Sequence, residues 1–347
     1  HGRERASGRL IAWLLCLILG TAASADTLRI ATYNTELQRE GPGLFLRDLA
    51  RGGDEQISAV LAVIAAADAD VLALQGIDYD LTGEALGRFA KAAGYPHHFA
   101  LRPNTGMPTG LDMDGDGRLG GPRDAQGYGR FSGQGGMAIL SRLPIDESNV
   151  QDLSALLWRD VPGALLPDVN GAPFPSEAAQ AIQRLSTTGH WVVPIIGPNG
   201  PFDLLTFHAS PPVFDGPEDR NGKRNHDEIM LWLNLMDGTV GKAPAGPFVI
   251  AGDANLDPVE GAGIKAAIEA LLSAPELQDV GPTGHFGTDT VDWDDPLPGD
   301  LRVDYVLPST HWRVTDSGVL WPAPDDPLAQ AVASASRHRL VWVDLAY

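Results

Sequence analysis

The chain has 347 residues, 44% apolar and 20% charged, with 40 Gly and 27 Pro. That length and apolar share suit one large globular domain with many loops and exclude a disordered or low-complexity chain. The formal net charge of −20 disfavours tight duplex DNA binding, because non-specific grip on nucleic acid rests on Lys and Arg neutralising phosphates.

The first residues read as a processing segment. Arg3, Arg5 and Arg9 give a basic start, residues 10–19 (LIAWLLCLIL) are an apolar run too short to span a bilayer, and residues 20–25 (GTAASA) end in an Ala-x-Ala-like site. This pattern predicts a secretory signal cleaved after Ala25, leaving one domain over 26–347 in the periplasm or the medium. The only cysteine, Cys16, falls inside that signal, so the remaining chain has no disulfide and depends on core size for stability. Residues 1–25 carry three Arg and one Glu, so their removal moves the net charge to near −22. No second apolar run is long enough to cross a membrane, and none is expected after cleavage.

Residues 27–34 (TLRIATYN) alternate and predict a strand ending at Asn34, followed by a Gly-rich loop. Asp54 is placed to cap a helix whose Ile57, Val60, Leu61 and Ile64 fall on one face. Residues 71–75 (VLALQ) predict a short buried strand, 84–93 a helix closed by Gly94 and Pro96, and 97–101 a strand. Residues 102–133 are rich in Gly and Asp and have no periodicity; a loop of that length is usually functional or ordered by an ion. Residues 136–141 (GMAILS) predict a strand, whereas 143–189 are Pro-rich and carry no assignment. Residues 191–196 and 202–208, joined by Gly-Pro-Asn-Gly, predict a hairpin. Asn225 and Glu228 have capping-box spacing ahead of a helix face made by Ile229, Trp232, Leu233 and Met236. A strand over 248–253, a helix near 263–272, a long acidic loop to Asp300, and strands at 302–307 and 340–345 complete the chain. Hairpin-joined strands alternating with helix-joined strands imply a mixed-sheet sandwich covered by helices.

Residues 248–258 (FVIAGDANLDP) bring a buried strand into a turn that presents Asp253 and Asn255. A carboxylate beside a carboxamide suits phosphate chemistry, with one to polarise water or hold a cation and the other to donate to a phosphoryl oxygen. On its own the tetrad is also an ordinary Asx turn. Asn34, His208, Asp304 and His338 add polar residues at or beside other strand ends. Each has a bland alternative: a turn residue, a structural histidine, an ion pair of Asp304 with Arg302.

Taken in order, these stretches resemble the endonuclease/exonuclease/phosphatase superfamily, with its DNase I-like fold. The stretches are 30–34 (IATYN), 70–75 (DVLALQ), 135–142 (GGMAILSR), 205–208 (LTFH), 249–255 (VIAGDAN), 302–307 (RVDYVL) and 336–339 (SRHR). The resemblance implies an α+β fold, a four-layer α/β/β/α sandwich, with its site at one rim. It implies metal-dependent hydrolysis of a phosphate monoester or diester, with Mg or Mn. Asp253 would orient or deprotonate the attacking water, Asn255 would bind phosphate, His338 paired with Asp304 would contact the phosphoryl group, His208 would stabilise transition-state charge, and Asn34 would help order the metal shell.

Two positions depart from the family pattern. The strand at 71–75 usually continues into a Glu, the principal metal ligand; here that position is Gly76. The closing motif usually reads Ser-Asp-His; here it is Ser336-Arg337-His338. Both changes remove negative charge where a hard cation needs it. Three accounts are open: Asp78 or Glu36 replaces the lost carboxylate, Arg337 clamps phosphate directly, or the site binds a phosphorylated ligand without turning it over.

Two further segments carry expectations. Residues 216–228 concentrate Arg220, Lys223 and Arg224 in an acidic chain, and Arg224 is a candidate substrate contact. In residues 112–124 (DMDGDGRLGGPRD), Asp112, Asp114, Asp116 and Gly117 match positions 1, 3, 5 and 6 of a calcium loop, with Arg123 at position 12 in place of Glu. This predicts a weak Ca site that orders the long loop.

Overall fold

The computed structural model describes residues 27–294 and 296–346; the expected signal segment lies outside the described residues. The strands are β1 (Leu28–Asn34), β2 (Val71–Ile77), β3 (His97–Phe99), β4 (Gly136–Ser141), β5 (Gln151–Asp152), β6 (Asp168–Val169), β7 (Ala172–Pro173), β8 (His190–Gly197), β9 (Gly200–His208), β10 (Phe248–Asp253), β11 (Asp304–Pro308), β12 (Arg313–Val319) and β13 (Val341–Ala346). The helices are α1 (Leu44–Arg51), α2 (Glu55–Ala67), α3 (Glu84–Ala93), α4 (Glu177–Ile182), α5 (Arg220–Met236), α6 (Ala266–Leu272) and α7 (Ala329–Ala335).

Two mixed sheets form the centre. One has six strands in the order β12-β13-β1-β2-β4-β3, the other five in the order β11-β10-β9-β8-β5. Alternation along the strands sorts side chains to the two faces. Ile30, Val71, Ala73 and Ile139 of the first sheet meet Val193, Leu204, Val249, Ala251 and Val306 of the second between the sheets. The opposite face of the first sheet, with Ala31, Leu72, Leu74 and Leu140, buries against Val60, Ile64 and Phe89 of α2 and α3 and Val332 of α7. The opposite face of the second, with Leu205, Phe207 and Ile250, buries against Ile229, Trp232, Ile268 and Leu271 of α5 and α6. The result is the expected α+β, four-layer α/β/β/α sandwich. Among the described residues, no helix is long and apolar enough to cross a membrane.

Local chemistry explains most elements. Asp54 caps α2 by accepting from the Ile57 N–H at 2.8 Å, and Gly94 closes α3 in the left-handed conformation. The hairpin of β8 and β9 is in register from His190↔Phe207 to Gly197↔Gly200. Several elements escape the sequence patterns: α1 inside the Gly-rich loop, the exposed strand β12, the Ala-rich α7, and β5, β6, β7 and α4 in the unassigned segment. The capping box expected at Asn225 is not there. Helix α5 starts five residues earlier, at Arg220, and both residues are buried in its interior. Asn225 donates to the carbonyls of Ser210 and Ala254. Glu228 accepts from the N–H groups of Thr187 and Ser210. The spacing that reads as a cap is a tertiary brace behind the turns that follow His208 and Asp253.

Candidate active site

Strand register sets out most of the site. Asp253 lies opposite His208 across the parallel pair β10–β9 and opposite Asp304 across the antiparallel pair β10–β11. Because β11 runs antiparallel to β10, its first residue meets the last residue of β10, which lies beside the last residue of β9, and the three side chains share one row. Gly252 makes this possible, since a Cβ there would stand 2.3 Å from the Phe207 carbonyl oxygen. Across the sandwich, β1 ends at Asn34, whose Nδ2 donates to Asp253 Oδ2 at 2.9 Å. That bond ties the rims of the two sheets together.

Asp253 is fully buried, and protein donors take the place of water around it. The Asn255 N–H reaches Oδ1 at 2.8 Å, and His208 Nε2 lies 3.4 Å from Oδ2. Burial and the charge of Asp304 raise its pKa, against the opposing pull of His338 and His208. A carboxylate in that state is a better proton acceptor than an exposed one. Asn255 adopts φ 50°, a left-handed position that Asn tolerates, and gives one amide hydrogen to the Ala209 carbonyl at 2.9 Å.

Asp304 is also fully buried. Its Oδ2 accepts from His338 Nδ1 at 2.9 Å, and its Oδ1 has no hydrogen-bond partner. Burial pulls the His338 pKa down, but the charges of Asp304 and Asp253 outweigh it and push the imidazole up to about 9. At neutral pH it is therefore an imidazolium with donors at both nitrogens. Its Nε2 lies 3.4 Å from Asn34 Nδ2, itself a donor. Two donors converging on one place have nothing to give each other and suit an anionic oxygen. Burial lowers His208, although Asp253 raises it in part, so this second imidazole is neutral.

Several positioning residues escaped the sequence reading. Ser336 Oγ donates to the Asn34 carbonyl at 2.8 Å and accepts from the His338 N–H at 3.0 Å. Thr290 Oγ1 accepts from the N–H groups of Val303 and Asp304 at 2.9 and 3.0 Å. Trp293 stands edge-on to the His338 ring, with centroids 5.9 Å apart. Thr290 and Trp293 lie in an acidic loop without periodicity; only an aromatic among acids (TVDWDD) marks it.

The expected replacements for the missing carboxylate are engaged elsewhere. Asp78 accepts from the N–H groups of Arg39 and Gly135, both at 2.9 Å, and burial raises its pKa to about 6. It pins two loops together and does not join Asp253. Glu36 does come to the rim, but its carboxylate accepts from the Arg337 backbone N–H at 2.8 Å, from Arg337 Nε at 2.9 Å, and from Arg337 Nη2. Gly76 sits at φ 69°, and a Cβ there would stand 2.4 Å from Asn34 Oδ1 and 2.9 Å from the Glu36 nitrogen. A longer side chain at that position could not coexist with Asn34 as placed. Among the described residues, Asp253, Asp304 and His338 bring ligand atoms within 4.8 Å of one another, an acidic/His cluster that could hold a metal ion. Among the described residues, however, no unengaged carboxylate faces this cluster from the first sheet, because Gly76 brings none and Glu36 is bound by Arg337. The residues present therefore lack the family's principal carboxylate ligand, and what they offer an ion is the Asp253–Asp304–His338 cluster with the unpartnered Asp304 Oδ1.

Arg224 is not a surface contact. It is 5% exposed, and its guanidinium donates to the carbonyls of Leu185, Gln126, Arg184 and Ser186. Inward-facing carbonyls from the long acidic loop and from the end of the unassigned segment require a buried donor fork, and Arg224 supplies it. Arg337, by contrast, keeps 66% of its side chain exposed.

The long acidic loop forms a separate cluster. Asp112 accepts from the N–H groups of Gly115 and Gly117 at 2.6 and 2.8 Å, and its carboxylate groups with Asp114 and Asp116 within 4.8 Å. Arg123, at position 12, lies 4.0 Å from Asp114. Asp124 turns inward and accepts from the Met113 and Gly121 N–H groups.

Solved structures share this fold. An endonuclease/exonuclease/phosphatase from Beutenbergia cavernae is 20% identical, with TM-score 0.54, over 92% of this chain and 71% of that one. A family protein from Leptotrichia buccalis is 16% identical, with TM-score 0.54, over 92% and 100%. Sphingomyelinase C from Streptomyces griseocarneus is 18% identical, with TM-score 0.51, over 92% and 98%. No curated protein matches significantly. The model of the endonuclease/exonuclease/phosphatase family matches residues 31–338, and the chain belongs to that family.

Proposed function

We propose that the protein is a secreted hydrolase of phosphate esters, monoester or diester. The observation that carries this reading is the buried row of Asp253, His208 and Asp304–His338, joined across the sandwich by Asn34. The phosphoryl group sits with one anionic oxygen between His338 Nε2 and Asn34 Nδ2, and another near the second amide hydrogen of Asn255. Asp253 takes a proton from water, whose oxygen forms the new P–O bond. The ester P–O bond breaks on the opposite side, and the leaving oxygen takes its proton from solvent. His338 and His208 face the charge that develops on the phosphoryl oxygens. Phosphoryl transfer needs positioning and charge neutralisation more than covalent help, which suits this set. Secretion is supported by the basic, apolar and small-residue pattern of residues 1–25, and the net charge of −20 argues for small esters or phospholipid headgroups over duplex DNA.

The test is a panel of a phosphomonoester, a bis-ester, sphingomyelin and plasmid DNA, run with wild type beside Asp253→Asn. Magnesium and manganese are the ions to add for the Asp253–Asp304–His338 cluster, and calcium for the Asp112–Asp114–Asp116 loop. Loss of about 10²-fold or more in the variant is expected from removing a general base. An Asp253→Asn enzyme that keeps full activity removes the assignment. Arg337 and Glu36 support a second reading, phosphate binding without turnover, which predicts phosphate affinity with no hydrolysis of any ester.

A further inference from the structure

We infer that Arg337 is the resident cation of this site: its guanidinium, seated on Glu36, supplies the positive charge that the family draws from a divalent ion. The inference rests on the phosphate-site reading above and goes beyond it in naming what neutralises the phosphate.

Four observations converge on it. First, the carboxylate that would face Asp253 from β2 is absent, and Gly76 leaves no room for one while Asn34 holds its place. Second, Glu36 occupies the rim with φ 48°, a strained left-handed backbone for a non-glycine residue of the kind that concentrates at functional sites. Third, both oxygens of Glu36 are committed to Arg337 through the backbone N–H, Nε and Nη2. An ion there would have to displace a bidentate guanidinium. Fourth, Glu36 is held at both ends, its carboxylate by Arg337 and its backbone by the residue that reaches Asp253. Arg337 donates to Glu36, the Glu36 N–H donates to Asn34 Oδ1 at 3.2 Å, and Asn34 Nδ2 donates to Asp253 Oδ2 at 2.9 Å. The next residue, His338, closes the same place. Glu36 does not use every guanidinium hydrogen, and the side chain is 66% exposed, so Arg337 keeps donors for a phosphoryl oxygen.

Loss of a carboxylate at 76 and gain of a cation at 337 thus compensate each other. One carboxylate, Glu36, fixes the guanidinium in place with the charge of Asp294 nearby, while Asp253 and Asp304 face His338.

The test uses the full chain freed of metal with EDTA, and inorganic phosphate as the probe. Titration calorimetry should show phosphate binding by wild type in EDTA. Arg337→Ala should weaken it by about ten-fold or more, the scale of one charge-assisted contact, with the melting temperature nearly unchanged. The double variant Glu36→Gln/Arg337→Ala should stay weak, which separates loss of the cation from exposure of the Glu36 charge. Hydrolysis by wild type should survive EDTA and gain little from added magnesium. Turnover abolished by EDTA and restored by magnesium overturns the inference while leaving the hydrolase reading intact. Phosphate affinity unchanged in Arg337→Ala overturns it as well. If no ester is turned over but phosphate binding needs Arg337 in EDTA, the hydrolase reading falls and the role of Arg337 stands.

Discussion

Asp304→Asn is the substitution that most directly probes the charge state of the site. The side chains are isosteric, and the amide oxygen can still accept from His338 Nδ1, so what changes is one buried negative charge 2.9 Å from the imidazole. In the wild type, burial opposes the charged ring, yet Asp304 and Asp253 lift it from 6.5 to about 9. At ~1.36 kcal/mol per pH unit, that shift is worth roughly 3 kcal/mol in favour of the folded imidazolium. The folded pKa lies above the unfolded one, so this stabilisation is complete below about pH 6.5 and is lost as pH rises through about 9. Asp253 remains in the variant and keeps part of the effect, so Asp304→Asn should cost about 2 kcal/mol at pH 6 and progressively less toward pH 10. Urea unfolding at four pH values between 6 and 10 measures the difference, and proton NMR of the ring reports the titration itself. A constant offset between the two proteins at every pH would refute the argument, because it would mean that Asp304 acts through packing and not through charge on His338.

Three other substitutions bear on separate links. Gly76→Ala puts a Cβ at φ 69° against Asn34 Oδ1, and should destabilise by about 1–3 kcal/mol in chemical denaturation while displacing Asn34 from Asp253. Arg224→Ala strips four carbonyls of their buried donor and should cost about 3 kcal/mol or more; at a temperature where the variant is folded, its KM should stay near the wild-type value, as a substrate contact would not allow. Calcium should raise the melting temperature of the wild type by a few degrees, an effect that Asp114→Ala abolishes if the acidic loop holds the ion; an equal rise in both proteins would place calcium elsewhere.

The fold was legible because its strands are bounded and apolar. Residues 136–141 and 84–93 form the expected strand and helix, and the hairpin at 190–208 follows from two β-rich runs around a Gly-Pro-Asn-Gly turn. Elements with weak local signals were not legible. Strand β12 (RVTDSGV) is exposed along much of its length and is held by β13, a contact no local pattern encodes. Asn225 and Glu228 show how one spacing can serve two purposes. A polar pair three apart ahead of an apolar face signals a cap when exposed, and only burial reveals that these two brace turns 15 to 41 residues away in the chain. The same limit applies to Arg224, since a basic residue in an acidic chain looks free until the carbonyls it serves are seen.

The site residues were legible individually as polar groups at strand ends, but their relation depends on register. Sequence order cannot say that Asp304 begins its strand while Asp253 and His208 end theirs, yet that offset alone brings all three into one row. The departures at Gly76 and Arg337 looked like two independent losses in sequence. In space they are one rearrangement, because the room Gly76 leaves is taken by the Asn34 amide and the Glu36 backbone, and the Glu36 carboxylate so positioned receives Arg337. The carboxylates of Glu36 and Asp78 are both engaged, the first by Arg337 and the second by the N–H groups of Arg39 and Gly135. On the proposal that Arg337 is the resident cation, this rearrangement exchanges one means of neutralising an anion for another.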